Sequence, residues 1–429
     1  MTRLSLLFLF SLCYISAYAQ QRCGTMQVYE KLIARDSNTL QRSILFENAL
    51  QTQGPSTSPN PKLEPNTGSR NTQAIVVIPV VVHVVYNTST QNISEEQIRS
   101  QISILNSDYR MTNSDTLATS HPFWASTADA AIEFCLATTD PNGNPTNGIT
   151  RTFTTTTRFD ADTIYNWTDV KYSSTGGQDN WDPTRYLNVW VCNLTGPALA
   201  FSTFPTELIT TPSEDGITIG YRYFGTGGTS ISPYNLGRSM THEVGHWLGL
   251  KHIWGDAFCG TDFVVDTKAA ESENYGCPSF PQRPNNTCGG DANGEMYMNF
   301  MDYVNDNCMN MFTYGQVLRM QNTLTLARSA IASSNRCVST ASIHDKQEIK
   351  FGLYPIPAQQ TLNLYFGNAY EGNLEIRILN SLGQIVQEQS FFSQPESIDL
   401  DISSINQGSY FLEVSDQKSK TIKRIVVLN

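Results

Sequence analysis

Apolar residues change their spacing along this chain, and each change marks a part of it. Across residues 26–50 they recur at helical spacing, and the polar, proline-rich stretch 51–72 then breaks the pattern. Such a stretch reads as a linker open to proteolysis. Residues 78–86 are β-branched and almost continuously apolar, as a buried strand should be. Ser94 and Gln97 form a capping box ahead of a helix whose apolar face carries Ile98, Ile102 and Leu105. Further strands are predicted at 132–136, 186–191 and 216–223. This order of strand, helix, strands and helix predicts an α/β or α+β domain. After Cys337 the pattern shifts again. Residues 338–349 are polar and read as a second linker. From Lys350 onward period-two alternation dominates, as in Leu362, Leu364 and Phe366, or Leu374, Ile376 and Ile378, or Tyr410, Leu412 and Val414. With turns predicted at 380–383 and 406–408, these short strands predict a small β-sandwich.

The first residues carry a different signal. Arg3, the apolar run 4–15 and Ala17-Tyr18-Ala19 read as a signal peptide over 1–19, too short to span a membrane. The domains expected are therefore a signal peptide (1–19), a pro-segment (20–70), a catalytic domain (71–337), a linker (338–349) and a C-terminal β-sandwich (350–429). A disordered N-terminal tail is the plainer alternative for 20–70. No later run is long enough for a transmembrane segment, and an exported protein is expected. The formal net charge of -11 argues against nucleic acid or an anionic membrane as partner. Of nine cysteines, Cys13 leaves with the signal peptide. The remaining eight can form disulfides outside the cytosol, but spacing alone does not pair them.

Chemistry concentrates at residues 242–252, HEVGHWLGLKH, which hold three of the six histidines. His242 and His246 lie four apart, on one face of a helix. Glu243 then sits beside a shared metal rather than on it, placed to take a proton from water. Gly249 ends the helix at positive φ, and the turn brings His252 back as a third ligand. Three imidazoles with an open fourth position suit zinc and metal-assisted hydrolysis of peptide bonds in protein or peptide substrates. The bland alternative is a surface helix with incidental histidines.

With Asn299-Phe300-Met301-Asp302-Tyr303 downstream, this stretch resembles the metzincin zinc proteases. Asn235-Leu236-Gly237-Arg238, the 262–267 loop and the run from Met301 through Cys308 to Thr313 narrow the resemblance to the pappalysin family, also called cytophagalysins. It covers roughly residues 75–330. It implies an α/β (α+β) catalytic domain with a twisted mixed sheet and an active-site helix. It also implies that Met301 forms the apolar base beneath the zinc ligands and that Tyr303 stabilises the oxyanion. Two disulfides are implied, Cys259–Cys288 and Cys277–Cys308, while Cys135, Cys192 and Cys337 stay unassigned. Asp262, the Val265 carbonyl, Thr267 and the Cys277 carbonyl would hold calcium, the alternative being an acidic surface loop. Cys23, in Arg22-Cys23-Gly24-Thr25, would occupy the open zinc position and hold a zymogen latent. A disulfide half or a free thiol is the other reading of Cys23. Relatives that cut before Arg or Lys carry an acid just after the last disulfide cysteine. Met309 stands there in this chain and suits an apolar side chain, with Asp306 nearby. Tyr354-Pro355-Ile356-Pro357-Ala358 and the closing Lys423–Val427 run resemble type A sorting domains of the type IX secretion system. That resemblance implies export through the periplasm and outer membrane of a Gram-negative bacterium by secretion machinery that reads the C-terminal domain. A carbohydrate- or protein-binding module is the alternative for that domain. A catalytically idle adhesin or protein-binding module on a metzincin scaffold is the alternative for the whole.

Overall fold

Strand β1 (Val76–Tyr86) is the axis of the larger of two units, residues 1–338 and 339–429. The computed structural model describes residues 22–52, 75–161, 166–337, 349, 351–366, 373–380, 384–391, 396–416 and 420–428. The expected signal peptide, most of the 51–72 stretch and the 338–348 linker lie outside the described residues. Eight consecutive residues of β1 are buried, because it has neighbours on both edges. On one edge, its first half pairs in parallel with β2 (Ile132–Leu136) and its second half with β3 (Ile149–Phe153). On the other lies β5 (Leu187–Cys192), followed by β8 (Ile217–Gly220), both parallel. β7 (Ala200–Ser202) closes the sheet as an antiparallel edge strand. A separate two-stranded pair joins β4 (Phe159–Asp160) to β6 (Leu194–Thr195).

The expected strand at 216–223 is shorter than its apolar pattern suggested, since β8 stops at Gly220 and residues 221–230 turn. The expected pro-segment helix is two helices, α1 (Thr25–Arg35) and α2 (Asn38–Thr52). The capping box of α3 (Glu95–Tyr109) is half made. Ser94 Oγ accepts from the Gln97 amide at 3.2 Å. The Gln97 side chain leaves the cap, donating to the Phe224 carbonyl at 2.8 Å and accepting from Thr229 N at 3.0 Å. It thereby ties α3 to the turn after β8.

A short helix, α4 (Glu207–Thr210), precedes β8, and α5 (Arg238–Trp247) follows it. All ten residues of α5 are buried, with Tyr109 donating to the Thr241 carbonyl at 3.0 Å. α6 (Tyr314–Ala327) and α7 (Ser329–Ala332) complete the unit. α6 does carry a full capping box, from Thr313 and Gln316.

The smaller unit has two antiparallel sheets over one apolar core, the sandwich-like architecture expected. β9 (Gly352–Tyr354), β10 (Thr361–Tyr365) and β13 (Ser397–Asp401) form one sheet. β11 (Leu374–Leu379), β12 (Ile385–Phe391), β14 (Gly408–Ser415) and β15 (Lys420–Val427) form the other. Leu362, Leu364, Ile376, Ile378, Leu412 and Val414 are buried, one face of each strand. Gly408, expected in a turn, instead opens β14.

Candidate active site

The path of the chain after α5 builds the site. Gly249 has φ +87 and reverses the chain, so that His252 returns to the helix. Gly245 serves a different need. A Cβ there would lie 2.5 Å from Met301 Sδ, so glycine lets the buried Met301 press against the helix under the histidines. Met301 is held by its own loop, its N–H donating to Asn299 Oδ1 at 2.9 Å.

His242, His246 and His252 are fully buried, and their Nε2 atoms lie 3.1–3.2 Å from one another. Each Nδ1 has its own acceptor: the Phe300 carbonyl at 2.7 Å, the Leu250 carbonyl at 2.9 Å and Asp256 Oδ1 at 2.5 Å. An Nδ1–H that donates leaves the Nε2 lone pair free, so three lone pairs converge on one point. Burial, then the neighbouring His252, pushes His246 down to about 3, and burial holds His242 well below the usual range. Neutral imidazoles are what a metal needs. Nitrogens at about 2.0–2.1 Å from a tetrahedral zinc are about 3.3–3.4 Å apart, close to the spacing seen. The donor set therefore fits zinc.

Cys23 completes the group. It is fully buried, and its sulfur and one nitrogen from each of the three histidines lie within 4.8 Å of one another. The residues around it fill the cleft. Gly24 N donates to the Ala200 carbonyl at 2.8 Å, and Cys23 pairs with Ala200 in parallel, as an added strand on the β7 edge. Thr25 Oγ1 donates to Glu243 Oε2 at 2.8 Å and accepts from Ser202 N at 2.9 Å. Glu243 is fully buried, and its Oε1 has no partner. Burial pushes its carboxyl up to about 7, against the hydrogen bonds from Thr25 and Cys23. Tyr303 donates to the Cys23 carbonyl at 3.3 Å, with its ring 4.9 Å from those of His252 and Trp254. Asp302 supports that loop, accepting from Tyr303 N at 2.7 Å and Asn274 N at 2.8 Å.

Arg22 enters a deep pocket. Its Nη2 donates to Asp306 Oδ1 at 2.5 Å and its Nη1 to the Val304 carbonyl at 2.7 Å, and the guanidinium lies 5.2 Å from the Tyr234 ring centre. Asp306 is itself positioned by Leu236 N, at 2.8 Å from Oδ2. The sequence left this pocket open between an apolar reading from Met309 and an acidic one from Asp306, and Arg22 meets Asp306. The Met309 side chain is buried in the main core and its carbonyl accepts from Arg238, while the acid comes from two residues before Cys308.

The other expected groups are placed as follows. Cys259 is bonded to Cys288 and Cys277 to Cys308, and Cys135 is bonded to Cys337. Cys192 is a buried free thiol among Val85, Phe159, Val170 and Trp190. In the 262–267 loop, Thr267 Oγ1 donates to Asp262 Oδ1 at 3.0 Å. The Val265 side chain is fully exposed. Asp266 caps α6, accepting from Thr313 Oγ1 at 2.7 Å and Gly315 N at 2.9 Å. Asp262 Oδ2 is buried with no partner. Two groups at the centre were missed by sequence reading. Asp256, which orients His252, sits four residues beyond it and was legible as a carboxylate supporting a ligand. Thr25 was marked only as part of the stretch around Cys23, and its bond to Glu243 was not legible because the partner is 218 residues away.

Residues 171–325 match the family described as "Pregnancy-associated plasma protein-A", and residues 352–428 match "Secretion system C-terminal sorting domain". The mature mirolysin of Tannerella forsythia, solved in complex with a cleaved peptide, is 49% identical, with a TM-score of 0.58, over 61% of this chain and 97% of that one. This chain belongs to the pappalysin family of metalloproteases. A promirolysin mutant from the same organism is 43% identical, with a TM-score of 0.64, over 73% of this chain and 97% of that one. An extracellular metalloprotease of Colletotrichum graminicola is 40% identical over 149 residues, 34% of this chain and 51% of that protein. One from Sordaria macrospora is 36% identical over 138 residues, 31% of this chain and 46% of that protein. The chain thus spans about half the length of the curated relatives it matches. Its C-terminal sorting domain makes it an exported protein. No helix among the described residues is long and apolar enough to cross a membrane.

Proposed function

We propose that this pappalysin is a zinc-dependent endopeptidase, described here in its latent form. The observation that carries the reading is the convergence of three imidazoles and Cys23 on one point beside Glu243. When bound there, zinc would polarise the scissile carbonyl and lower the pKa of a water in its open position to about 7. Glu243 is the general base, since it follows His242 in the helix and Thr25 holds its carboxylate beside the converging imidazoles. Tyr303 is the oxyanion donor, supported by its reach to the Cys23 carbonyl. Met301 supports the histidines from below.

Latency has three parts in this reading. Cys23 takes the fourth ligand position, Thr25 engages the base, and residues 22–25 cover the β7 edge where a substrate strand would lie. Asp306 sets the side-chain preference. Arg22 in its pocket favours substrates with a basic residue there, because a buried carboxylate pairs strongly with a guanidinium. The domain limits follow: a pro-segment from about residue 20 to 70, a protease domain to 337 and a C-terminal sorting domain from 350 that engages secretion machinery. Calcium near Asp262 is supported by its unpartnered buried oxygen and by Thr267 beside it.

The test uses processed enzyme. It should contain one zinc per chain and cleave a peptide library with a strong preference for arginine or lysine at one position beside the cut. Glu243→Gln should retain zinc and lose about 10²–10⁴-fold in kcat. A processed protein with neither zinc nor cleavage would reject the reading, and an unchanged kcat in Glu243→Gln would reject Glu243 as the base.

A further inference from the structure

The pro-segment inserts a second arginine into the protease body, away from the zinc ligands. Arg35, the last residue of α1, donates through Nη1 and Nη2 to Glu214 Oε1 and Oε2 at 2.9 and 2.7 Å. Its guanidinium lies 5.7 Å from the Trp167 ring centre. Acid and aromatic face therefore repeat the arrangement that Asp306 and Tyr234 offer Arg22. Glu214 is built into the body. Its side chain is only 6% exposed, while that of Arg35 is 44% exposed, so the cation reaches in from solvent to a carboxylate already in place. Tyr172 positions that carboxylate by donating to Oε1 at 3.0 Å. The neighbouring buried Lys171 donates to the Glu214 backbone carbonyl, which leaves both carboxylate oxygens to Arg35 and Tyr172. Between the two arginines, Val28 and Leu32 of α1 lie in an apolar hollow lined by Trp167, Ala198 and Phe201.

We propose that, once the pro-segment is gone, Glu214 and Trp167 form an exosite for a second basic residue of peptide and protein substrates. This rests on the endopeptidase reading above. The site would select chains that carry an arginine for the Asp306 pocket, then apolar residues, then a second arginine. Along the pro-segment, Arg22 precedes Cys23 and Arg35 follows it, so the two arginines reach their carboxylates from either side of Cys23 in the chain. α1 rises about 15 Å from Thr25 to Arg35. An extended peptide covers that distance in about five residues.

The experiment compares peptides that share one arginine for the Asp306 pocket. They carry either glutamine or arginine at roughly three, five or eight residues on the far side of the cut. For processed enzyme, kcat/KM should be about tenfold higher with the second arginine at one of these spacings, through KM rather than kcat. Glu214→Gln should bring that ratio close to one, and Trp167→Leu should lower it. Glu214→Lys should invert the preference, favouring a glutamate at the same position. A ratio near one in the wild type would show that the pocket serves the pro-segment alone, and would overturn the proposal. So would a ratio that survives in Glu214→Gln and Glu214→Lys. If no peptide is cleaved, the endopeptidase reading is what fails. Binding of the same peptides to the processed Glu243→Gln protein then still decides on the exosite, with the two-arginine peptide expected to bind more tightly.

Discussion

Single side chains in this protein carry costs that the rest of the fold covers, and Glu207 is the clearest case outside the active site. It opens α4, is buried, accepts from Thr206 Oγ1 at 3.0 Å and leaves Oε2 without a partner. Burial, partly offset by the Thr206 hydrogen bond, pushes its carboxyl up to about 7. The folded pKa thus lies above the unfolded value of about 4.3. Folding takes up a proton between these two values, and the stability linked to Glu207 is lost as pH rises through that window. The total is on the order of 3 kcal/mol. Glu207→Gln should therefore flatten the fall in stability from pH 5 to pH 8. Urea unfolding of wild type and variant at both values reads this directly, and parallel losses would show that Glu207 is ionised in the fold.

Among the elements, α1 matters most, because it connects the histidine cluster to the outer anchors of the proposed pro-segment. Its first residue engages Glu243, Val28 and Leu32 enter the apolar hollow, and Arg35 reaches Glu214. α2 adds Glu47, which accepts from Arg319 Nη1 and Nη2 at 2.7 and 2.6 Å. In the proposed latent form, the hold is shared between the short segment at the histidine cluster and the helices that keep it there. Cys23→Ala should give a precursor that processes itself early, seen as loss of full-length chain on gels within the time the wild type stays intact. Thr25→Val removes only the bond to Glu243 and should shorten the latent period by less. Equal persistence of all three chains would show that α1 and α2 suffice for latency without Cys23.

For the larger unit as a whole, the Cys135–Cys337 bond joins β2 to the end of the unit across 202 residues of sequence. Closing so long a loop restricts the unfolded chain strongly. Cys337→Ser should lower the stability of the processed, oxidised protein by about 3–4 kcal/mol. Thr138 also holds this end, donating from its N–H to the Arg336 carbonyl at 2.8 Å, so local docking should persist while global unfolding shifts. Chemical denaturation under oxidising and reducing conditions checks both. Under reducing conditions, which break all three disulfides in either protein, variant and wild type should coincide, and under oxidising conditions they should differ.

Local pattern in the sequence determined a good deal. Continuous apolar character determined β1, alternation determined the strands of the small unit, and the spacing of His242, His246, Gly249 and His252 determined the metal site. Each of these is encoded within a few residues, where helical or strand period dictates which side chains share a face. Tertiary structure alone decided the rest. Arg22 meets Asp306 across 284 residues, Thr25 meets Glu243 across 218, and Arg35 meets Glu214 across 179. No period relates such pairs, since each joins residues 22–35 to an element far along the chain and forms only when that chain has folded. The same reason explains Met309. Its place beside Cys308 pointed to the pocket, but the backbone turned its side chain into the core and presented Asp306 instead.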